Sequence, residues 1–291
     1  MGSLEGRVAI ITGAGRGIGR EHALFFAAEG AKIVVNDLGG TNDGTGADIT
    51  PAQQVVEEIR DLGGEAVVNG DNVASWEGAQ RMVNQAIETF GDLDILVNNA
   101  GILRDRVLVN MTEEEWDAVI AVHLKGHFAP SRWAAAYWRE QHKAGVTKPR
   151  NIVHTSSTSG LFSNPGQSNY GAAKTGIATF SQIIAKELIR YNVKSNTIAP
   201  GARTRLTLAT PGIETIMRPS TGGFDPWDPA NISPLVAYLA SAECAFTGET
   251  FLVQGGSVTM VESWQRGAHV ERDSKWTVSE LSDALAPLAR P

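Results

Sequence analysis

The chain has 291 residues, a formal net charge of −7 and 42% hydrophobic residues. The acidic balance argues against nucleic-acid binding, because such surfaces normally cluster basic residues. The single cysteine, Cys244, excludes an internal disulfide and a cysteine-based zinc site. With no apparent secretory leader and no apolar segment of membrane-spanning length, we expect a cytoplasmic protein without a metal.

Short β-branched runs alternate with helical patterns from the start of the chain. The predicted strands are RVAIITG, AKIVVND, EAVVNGD, LDILVNN and RNIVHTSS, followed by residues 193–199 and 250–253. Helical spacing of apolar residues predicts helices at 17–30, 51–62, 75–90, 112–139 and 170–190. Continuous apolar runs are typical of strands buried on both faces of a parallel sheet. The alternation predicts a single α/β domain, a Rossmann-type doubly wound parallel sheet of about seven strands.

Three stretches interrupt this alternation. Residues 39–50 form a polar, glycine-rich loop, residues 202–232 are irregular, and residues 262–291 form a C-terminal extension. Long loops in a compact domain usually carry function or lack order. The middle stretch follows a strand, at the edge where open α/β sheets bind ligands. We interpret residues 202–232 as a substrate lid.

A glycine-rich motif, TGAGRGIG at 12–19, joins the first predicted strand to the first predicted helix. Gly13 permits the tight turn, and Gly17 lets the backbone approach a diphosphate. Gly19 allows the helix to pack against the strand, so that helical N–H groups face the anion. An ordinary tight turn is the alternative interpretation.

The next strand ends in Asp37, 18 residues beyond Gly19. This spacing is near that expected for an acid that binds the adenosine ribose of a dinucleotide. A carboxylate there repels the 2′-phosphate of NADP, and no basic residue directly follows it. The predicted cofactor is therefore NAD, although Arg16 is a basic residue of the kind that can reach a 2′-phosphate. A role for Asp37 as a simple loop cap is the alternative.

A tyrosine and a lysine stand one helical turn apart in YGAAK, residues 170–174. This spacing alone also fits an ordinary surface pair. TGAGRGIG, NNAG at 98–101 and SST at 156–158 precede the pair in order. With these four motifs the chain resembles the short-chain dehydrogenase/reductase family along nearly its full length.

The resemblance implies three catalytic roles. Ser157 holds the substrate oxygen, Tyr170 is the acid/base, and Lys174 binds the nicotinamide ribose and helps to ionise the tyrosine. A free tyrosine has a pKa of about 10, and lowering it to about 7 requires roughly 4 kcal/mol of phenolate stabilisation. A lysine ammonium and the cationic nicotinamide can supply this stabilisation.

The resemblance also implies the residues of the cofactor site. They are Gly13, Arg16, Gly17, Ile18, Gly19, Asp37, Leu38, Asp71, Asn72, Val73, Asn99, Ala100, Gly101, Tyr170, Lys174, Pro200 and Gly201. Many family members carry an asparagine where VIAVHLKGHF places His123. Either its imidazole takes over the proton relay, or a backbone carbonyl and water do so and His123 is structural. His127 is expected to pack in the interior.

Longer segments narrow the resemblance. VHLKGHF, GQSNYGAAKTG and SNTIAPGARTRLT are similar to the (3R)-hydroxyacyl-CoA dehydrogenase part of peroxisomal multifunctional enzyme type 2 and its stand-alone bacterial relatives. This similarity implies NAD-dependent oxidation of 3-hydroxyacyl-CoA to 3-oxoacyl-CoA in fatty acid or sterol side-chain degradation. Some relatives also act on a 17β-hydroxysteroid.

Two alternatives remain open. An NADPH-dependent 3-oxoacyl-carrier-protein reductase is disfavoured by Asp37, and its acidic partner would need a basic patch, for which Lys143, Lys148 and Arg150 are the candidates. A non-catalytic dinucleotide-binding sensor is the second alternative. The family also implies a homodimer or homotetramer formed through the helices at 112–139 and 170–190.

Overall fold

The computed structural model describes residues 2–210, 212–220 and 222–289, and eight of its strands form one sheet. The strands are β1 Val8–Thr12, β2 Lys32–Asn36, β3 Glu65–Asn69, β4 Ile95–Asn98, β5 Arg150–Thr155, β6 Val193–Gly201, β7 Thr250–Gln254 and β8 Ser257–Val261. Their order is β3-β2-β1-β4-β5-β6-β7-β8. Strands β1 to β7 are parallel, which confirms the predicted doubly wound sheet, and β8 runs antiparallel to β7.

Helices cover both faces of the sheet. The described helices of the unit that holds the sheet are α1 Gly17–Ala28, α2 Thr50–Asp61, α3 Trp76–Phe90, α4 Glu113–Ile120, α5 Gly126–Lys143, α6 Thr158–Phe162, α7 Ser168–Leu188, α8 Ile213–Ile216 and α9 Ser233–Ala240. A further helix, α10 Val278–Leu285, belongs to the C-terminal unit. One core contains residues of α1, α2 and α9, and the other contains residues of α3, α5 and α7. The helix predicted at 112–139 is divided into α4 and α5 by a π-helical turn, Ala121–Lys125.

The first strand shows why its sequence has no polar face. Ala9 and Ile11 point into one core, whereas Val8 and Ile10 point into the other. All four side chains are buried, as expected for a parallel strand between two helical layers. The chain winds outward from β1 in one direction and from β4 in the other. A crevice is therefore expected beyond the C-terminal ends of these two strands.

The sheet and its helices form one compact unit that ends at Val261, and residues from Glu262 on form a second unit. The described part of the segment at 202–232 contains only short helical turns, and its role as a lid stays a prediction. In the second unit, α10 begins with a capping box formed by Thr277 and Glu280. No described helix combines the length and apolar character needed to cross a membrane.

Candidate active site

A cleft of about 240 Å³ lies at the C-terminal ends of β1, β2 and β4. Most of the predicted cofactor residues line it, namely Gly13, Arg16, Gly17, Ile18, Gly19, Asp37, Leu38, Asp71, Asn72, Val73, Asn99, Ala100 and Gly101. The predicted Tyr170, Lys174, Pro200 and Gly201 lie outside this lining. Side chains that the sequence did not single out also line it, including Asn36, Asn42, Ile102, Thr204 and Arg205.

The glycine-rich loop needs glycine for two different reasons. Gly13 and Gly17 adopt positive φ angles of 64° and 55°, which other residues rarely adopt. At Gly19 a Cβ atom would lie only 2.2 Å from the carbonyl oxygen of Gly13. Helix α1 starts behind Arg16 with no side-chain cap and no acidic residue in its first turn. Its N–H groups can therefore face an anion, and the loop fits a dinucleotide diphosphate.

The NNAG segment fastens this loop to β4. The backbone N–H groups of Asn99 and Ala100 donate to Oγ1 of Thr12, at 2.9 and 3.1 Å. The Asn99 side chain donates back to the carbonyls of Thr12 (3.0 Å) and Gly13 (3.2 Å). Thr12 was missed in the sequence, although its hydroxyl at the end of β1 immediately precedes the first glycine.

Asp37 fastens the loop to β2. Its carboxylate accepts hydrogen bonds from the backbone N–H of Gly15 at 2.8 Å and of Gly39 at 2.6 Å. The side chain is only half-buried and lines the cleft. Its negative charge thus lies beside the phosphate loop, where the sequence predicted an acid that contacts the ribose.

The end of β3 carries a second acid, Asp71, whose charge is already paired. Arg81 donates to its carboxylate from Nε at 3.0 Å, and Nδ2 of Asn69 donates to it at 3.1 Å. Asn69 also accepts a 2.7 Å hydrogen bond from the side chain of Asn36. This asparagine pair, which the sequence did not predict, links the ends of β2 and β3.

The three predicted catalytic side chains come together beside the cleft. Ser157 is the N-cap of α6, and its side chain forms a hydrogen bond with the Tyr170 hydroxyl. The ammonium nitrogen of Lys174 lies 5.4 Å from the centre of the Tyr170 ring. It also donates a 2.7 Å hydrogen bond to the carbonyl of Thr155. Three elements, β5, α6 and α7, therefore position this group.

The protein environment shifts the pKa values of Tyr170 and Lys174 in the directions that favour their neutral forms. Burial raises the pKa of Tyr170 to about 12, although the Ser157 hydrogen bond opposes this effect. Burial also lowers the pKa of Lys174 to about 7. The lowered tyrosine pKa expected from the sequence requires a protonated lysine and a bound cationic nicotinamide, whereas in the protein alone desolvation is the largest effect. Tyr170 is thus protonated at neutral pH in the protein alone.

His123 lies in the π-helical turn and is fully buried. Its ring packs edge-on against Tyr170, with the ring centres 5.1 Å apart. Nε2 lies 2.8 Å from the carbonyl oxygen and 3.1 Å from the backbone nitrogen of Ile102, so it donates to the first or accepts from the second according to the tautomer. Among the described residues, Nδ1 has no hydrogen-bond partner. Burial and the neighbouring Lys174 hold the pKa of His123 well below its usual range, so the ring is neutral.

Gly101 makes room for this imidazole. A Cβ atom at Gly101 would lie 2.5 Å from Cε1 of His123, so any larger residue would displace the ring. His127, one turn farther along, is also buried, and its Nε2 accepts a long, 3.4 Å hydrogen bond from the backbone of Thr155.

Asn169 anchors the first turn of α7, although the sequence did not single it out. The buried side chain donates to the carbonyls of Arg104 at 3.0 Å and Glu115 at 3.1 Å. Its oxygen lies 2.7 Å from the backbone nitrogen of Tyr170. These contacts hold the tyrosine against the segment that follows β4. Its position beside the tyrosine was the only signal in the sequence.

The basic residues considered for a carrier protein are all paired. The Lys148 ammonium lies 2.6 Å from a carboxylate oxygen of both Asp92 and Asp94. Arg150 is buried against the same two acids, and Lys143 pairs with a glutamate on its own helix. Within the described ranges, no group of three or more histidine, cysteine or acidic side chains is placed to hold a metal.

Residues 7–210 match the short chain dehydrogenase family, and this range includes all four motifs. Hydroxyacyl-CoA dehydrogenase ChsB1 of Mycobacterium tuberculosis is 42% identical, over 97% of this chain and 88% of its own length. Peroxisomal multifunctional enzyme type 2 of Drosophila melanogaster is 46% identical over 84% of this chain. The match spans only 38% of that longer protein.

Two solved structures are similar over most of the chain. A short chain dehydrogenase from Mycobacterium avium superposes with a TM-score of 0.88 and 50% identity, covering 100% of this chain and 98% of that one. A short chain dehydrogenase from Burkholderia cenocepacia, solved in complex with NADP, has a TM-score of 0.74 and 28% identity, covering 87% and 98%.

Proposed function

The chain belongs to the short chain dehydrogenase family, and on that premise we propose that it oxidises 3-hydroxyacyl-CoA to 3-oxoacyl-CoA with NAD. Family membership makes it an oxidoreductase that acts on CH–OH groups with a nicotinamide dinucleotide. The observation that carries the proposal is the convergence of Ser157, Tyr170 and Lys174 beside a cleft that fits a dinucleotide.

The proposed chemistry assigns a separate task to each of the three residues. Ser157 orients the substrate hydroxyl, and Tyr170 takes its proton while the hydrogen on the same carbon leaves as a hydride. A nicotinamide held in the cleft would supply the hydride acceptor and, in its oxidised form, a positive charge that favours the tyrosine phenolate. Lys174 adds charge of the same sign when protonated, and the Thr155 carbonyl fixes its position. This account explains how Tyr170, protonated in the protein alone, becomes a base.

We propose that His123 helps to carry the proton away from this group. Its Nδ1 atom is buried with no partner among the described side chains, and its ring contacts Tyr170; in the tautomer protonated at Nε2, this nitrogen is an acceptor. An acceptor in this place can receive a hydrogen bond from a bridging water. The neutral imidazole then serves where many family members have an asparagine, and the contacts of Nε2 with the Ile102 backbone keep the ring oriented.

The preference for NAD rests on Asp37. Its carboxylate is held beside the phosphate loop by two backbone N–H groups and lines the cleft. A 2′-phosphate near this position would meet a like charge. The same residue disfavours the NADPH-dependent carrier-protein reductase, and so does the pairing of Lys148 and Arg150 with acids. A protein that only senses the dinucleotide would not need the Ser157–Tyr170 contact.

The substrate class rests on relatives named for hydroxyacyl-CoA oxidation and for peroxisomal multifunctional enzymes. We propose a (3R)-hydroxyacyl thioester from fatty acid or sterol side-chain degradation as the main substrate, with a 17β-hydroxysteroid as a second one. The proposed location is the cytoplasm.

We further propose a homodimer or homotetramer. The predicted contact helices correspond to α4, α5 and α7. Phe128 of α5 is 42% exposed and Ile183 of α7 is 50% exposed, so apolar surface is available on two of them. Trp138 of α5 is not available for such a contact, because it is buried and donates to the Leu93 carbonyl at 2.7 Å. Light scattering of the purified protein that showed only a monomer would remove this proposal.

Initial rates on a panel of substrates test the proposed function. We expect fastest reduction of NAD⁺ with (3R)-hydroxyacyl-CoA, slower reduction with the (3S) enantiomer, and little turnover of NADP⁺. Turnover confined to NADP⁺ would refute the role of Asp37, and turnover confined to the steroid would replace the thioester. Tight NAD⁺ binding without any turnover would support the sensor instead.

A further inference from the structure

The first residues of the predicted lid lie over the phosphate loop. A Cβ atom placed on Gly17 would lie 3.4 Å from Cγ2 of Thr204. Thr204, Arg205 and Leu206 line the same cleft as the glycine loop. A ligand in this part of the cleft would therefore lie between the glycine-rich loop and residues 204–206.

Residues 39–48, which we call the strap, follow the end of β2 and also border this cleft. The guanidinium of Arg205 donates to the Gly40 carbonyl at 3.2 Å, and the Asn42 side chain donates to the Arg205 carbonyl at 3.2 Å. Outside the cleft lining, Nε of Arg104 donates to the Asp43 carbonyl at 2.8 Å. Two arginines thus hold the strap in the same way, but only Arg205 lines the cleft.

The acidic side chains that line the cleft have hydrogen-bond or ion-pair partners, whereas its arginines form no ion pair with a described residue. Of its acids, Asp37 accepts two backbone hydrogen bonds and Asp71 is paired with Arg81. Of its bases, neither Arg16 nor Arg205 forms an ion pair within the described part of the chain, and Asp48 attracts Arg16 only at longer range. The Arg205 guanidinium donates one hydrogen bond to a neutral carbonyl, and its other N–H groups remain available to a ligand. Two unpaired guanidinium groups lining a cleft indicate an anionic ligand.

We propose that Arg205 binds the diphosphate of the dinucleotide, opposite the N–H groups of α1 and together with Arg16. This assignment rests on the proposed use of a dinucleotide cofactor and adds a binding residue from the lid segment. Because Arg205 also holds the strap at Gly40, a bound diphosphate connects the phosphate loop, the strap and the lid.

Calorimetric titration with ADP-ribose, which carries the diphosphate but no nicotinamide, tests this assignment without any turnover. The variants are Arg205→Gln, the charge-retaining Arg205→Lys and the matched control Arg104→Gln, which removes the equivalent strap contact. A lost charge-assisted hydrogen bond weakens binding by roughly tenfold or more. We expect that loss for Arg205→Gln, a smaller one for Arg205→Lys, and a change of less than about threefold for Arg104→Gln.

Three outcomes would overturn the assignment. Equal ADP-ribose affinity of Arg205→Gln and the unmodified chain would show that Arg205 does not touch the diphosphate. Equal losses in Arg205→Gln and Arg104→Gln would assign the effect to the strap. A loss seen with 2′-phospho-ADP-ribose but not with ADP-ribose would move Arg205 to a 2′-phosphate site. If the unmodified chain bound neither compound, the proposed dinucleotide function would fail as well, which distinguishes the two failures.

Discussion

Replacing Lys174 by methionine should abolish turnover and yet stabilise the folded protein. Lys174 is 2% exposed, and burial lowers its pKa from 10.5 to about 7. The folded state therefore binds fewer protons at this residue than the unfolded state does. The destabilisation is fully present below about pH 7, and it disappears as the pH rises above the ordinary lysine value.

The magnitude follows from the difference between the two pKa values. At about 1.36 kcal/mol per pKa unit, the buried lysine reduces the free energy of unfolding by roughly 4 kcal/mol at pH 7 and by only about 1 kcal/mol at pH 10. Methionine fills a similar volume but leaves the Thr155 carbonyl without its donor, a cost of about 1 kcal/mol or more that does not vary with pH. The change with pH therefore isolates the charge.

Chemical denaturation at pH 7 and pH 10, with equal protein concentrations, measures this change. The stability advantage of Lys174→Met over the unmodified chain should shrink by roughly 3 kcal/mol between the two pH values. Lys186→Met, on an exposed position of the same helix, is the matched control and should show no such change. An advantage of Lys174→Met that stayed constant with pH would refute the buried-charge argument.

Substitutions at three further positions test the cofactor cleft and the relay. Gly19→Ala should weaken NAD⁺ binding by at least about tenfold and destabilise the fold by about 1–3 kcal/mol, because its Cβ would clash with the backbone of Gly13. Titration and thermal unfolding check this, with Gly256→Ala, where a Cβ meets nothing within 4 Å, as the control. Asp37→Ser should reduce the ratio of kcat/KM for NAD⁺ over NADP⁺ by roughly tenfold or more, and an unchanged ratio would contradict the repulsion argument. His123→Leu should lower kcat by about a hundredfold with little change in KM, whereas His123→Asn retains an acceptor and should keep most of the activity. Equal losses in both His123 variants would favour a structural role.

Features that depend on neighbouring residues in the chain were predictable. Each parallel strand is a continuous apolar run, and the glycines of the phosphate loop stand at a strand-to-helix junction. Strand β8 lacks such a run because most of its residues are exposed at the edge of the sheet. The π-helical turn around His123 also escaped prediction, since its apolar pattern continues that of the helices on both sides.

Features set by contacts between distant segments were not predictable. Thr12 and Asn169 act through backbone groups that lie 54–88 positions away, so no local pattern marks them. The raised pKa of Tyr170 in the protein alone was not predictable either, because the sequence does not show how far the tyrosine is desolvated. Strand β6 continues two residues beyond the predicted end at 199, through Pro200 and Gly201, and these two residues lie outside the cleft lining.

The most direct test of the proposed chemistry follows one hydrogen atom. A (3R)-hydroxyacyl-CoA that carries deuterium on the hydroxyl-bearing carbon is incubated with NAD⁺, and the nicotinamide product is examined by mass spectrometry. The account predicts deuterated NADH with the unmodified chain and a loss of at least about a thousandfold in rate with Tyr170→Phe, which still binds NAD⁺. NADH formed without deuterium, or formed equally fast by Tyr170→Phe, would contradict it.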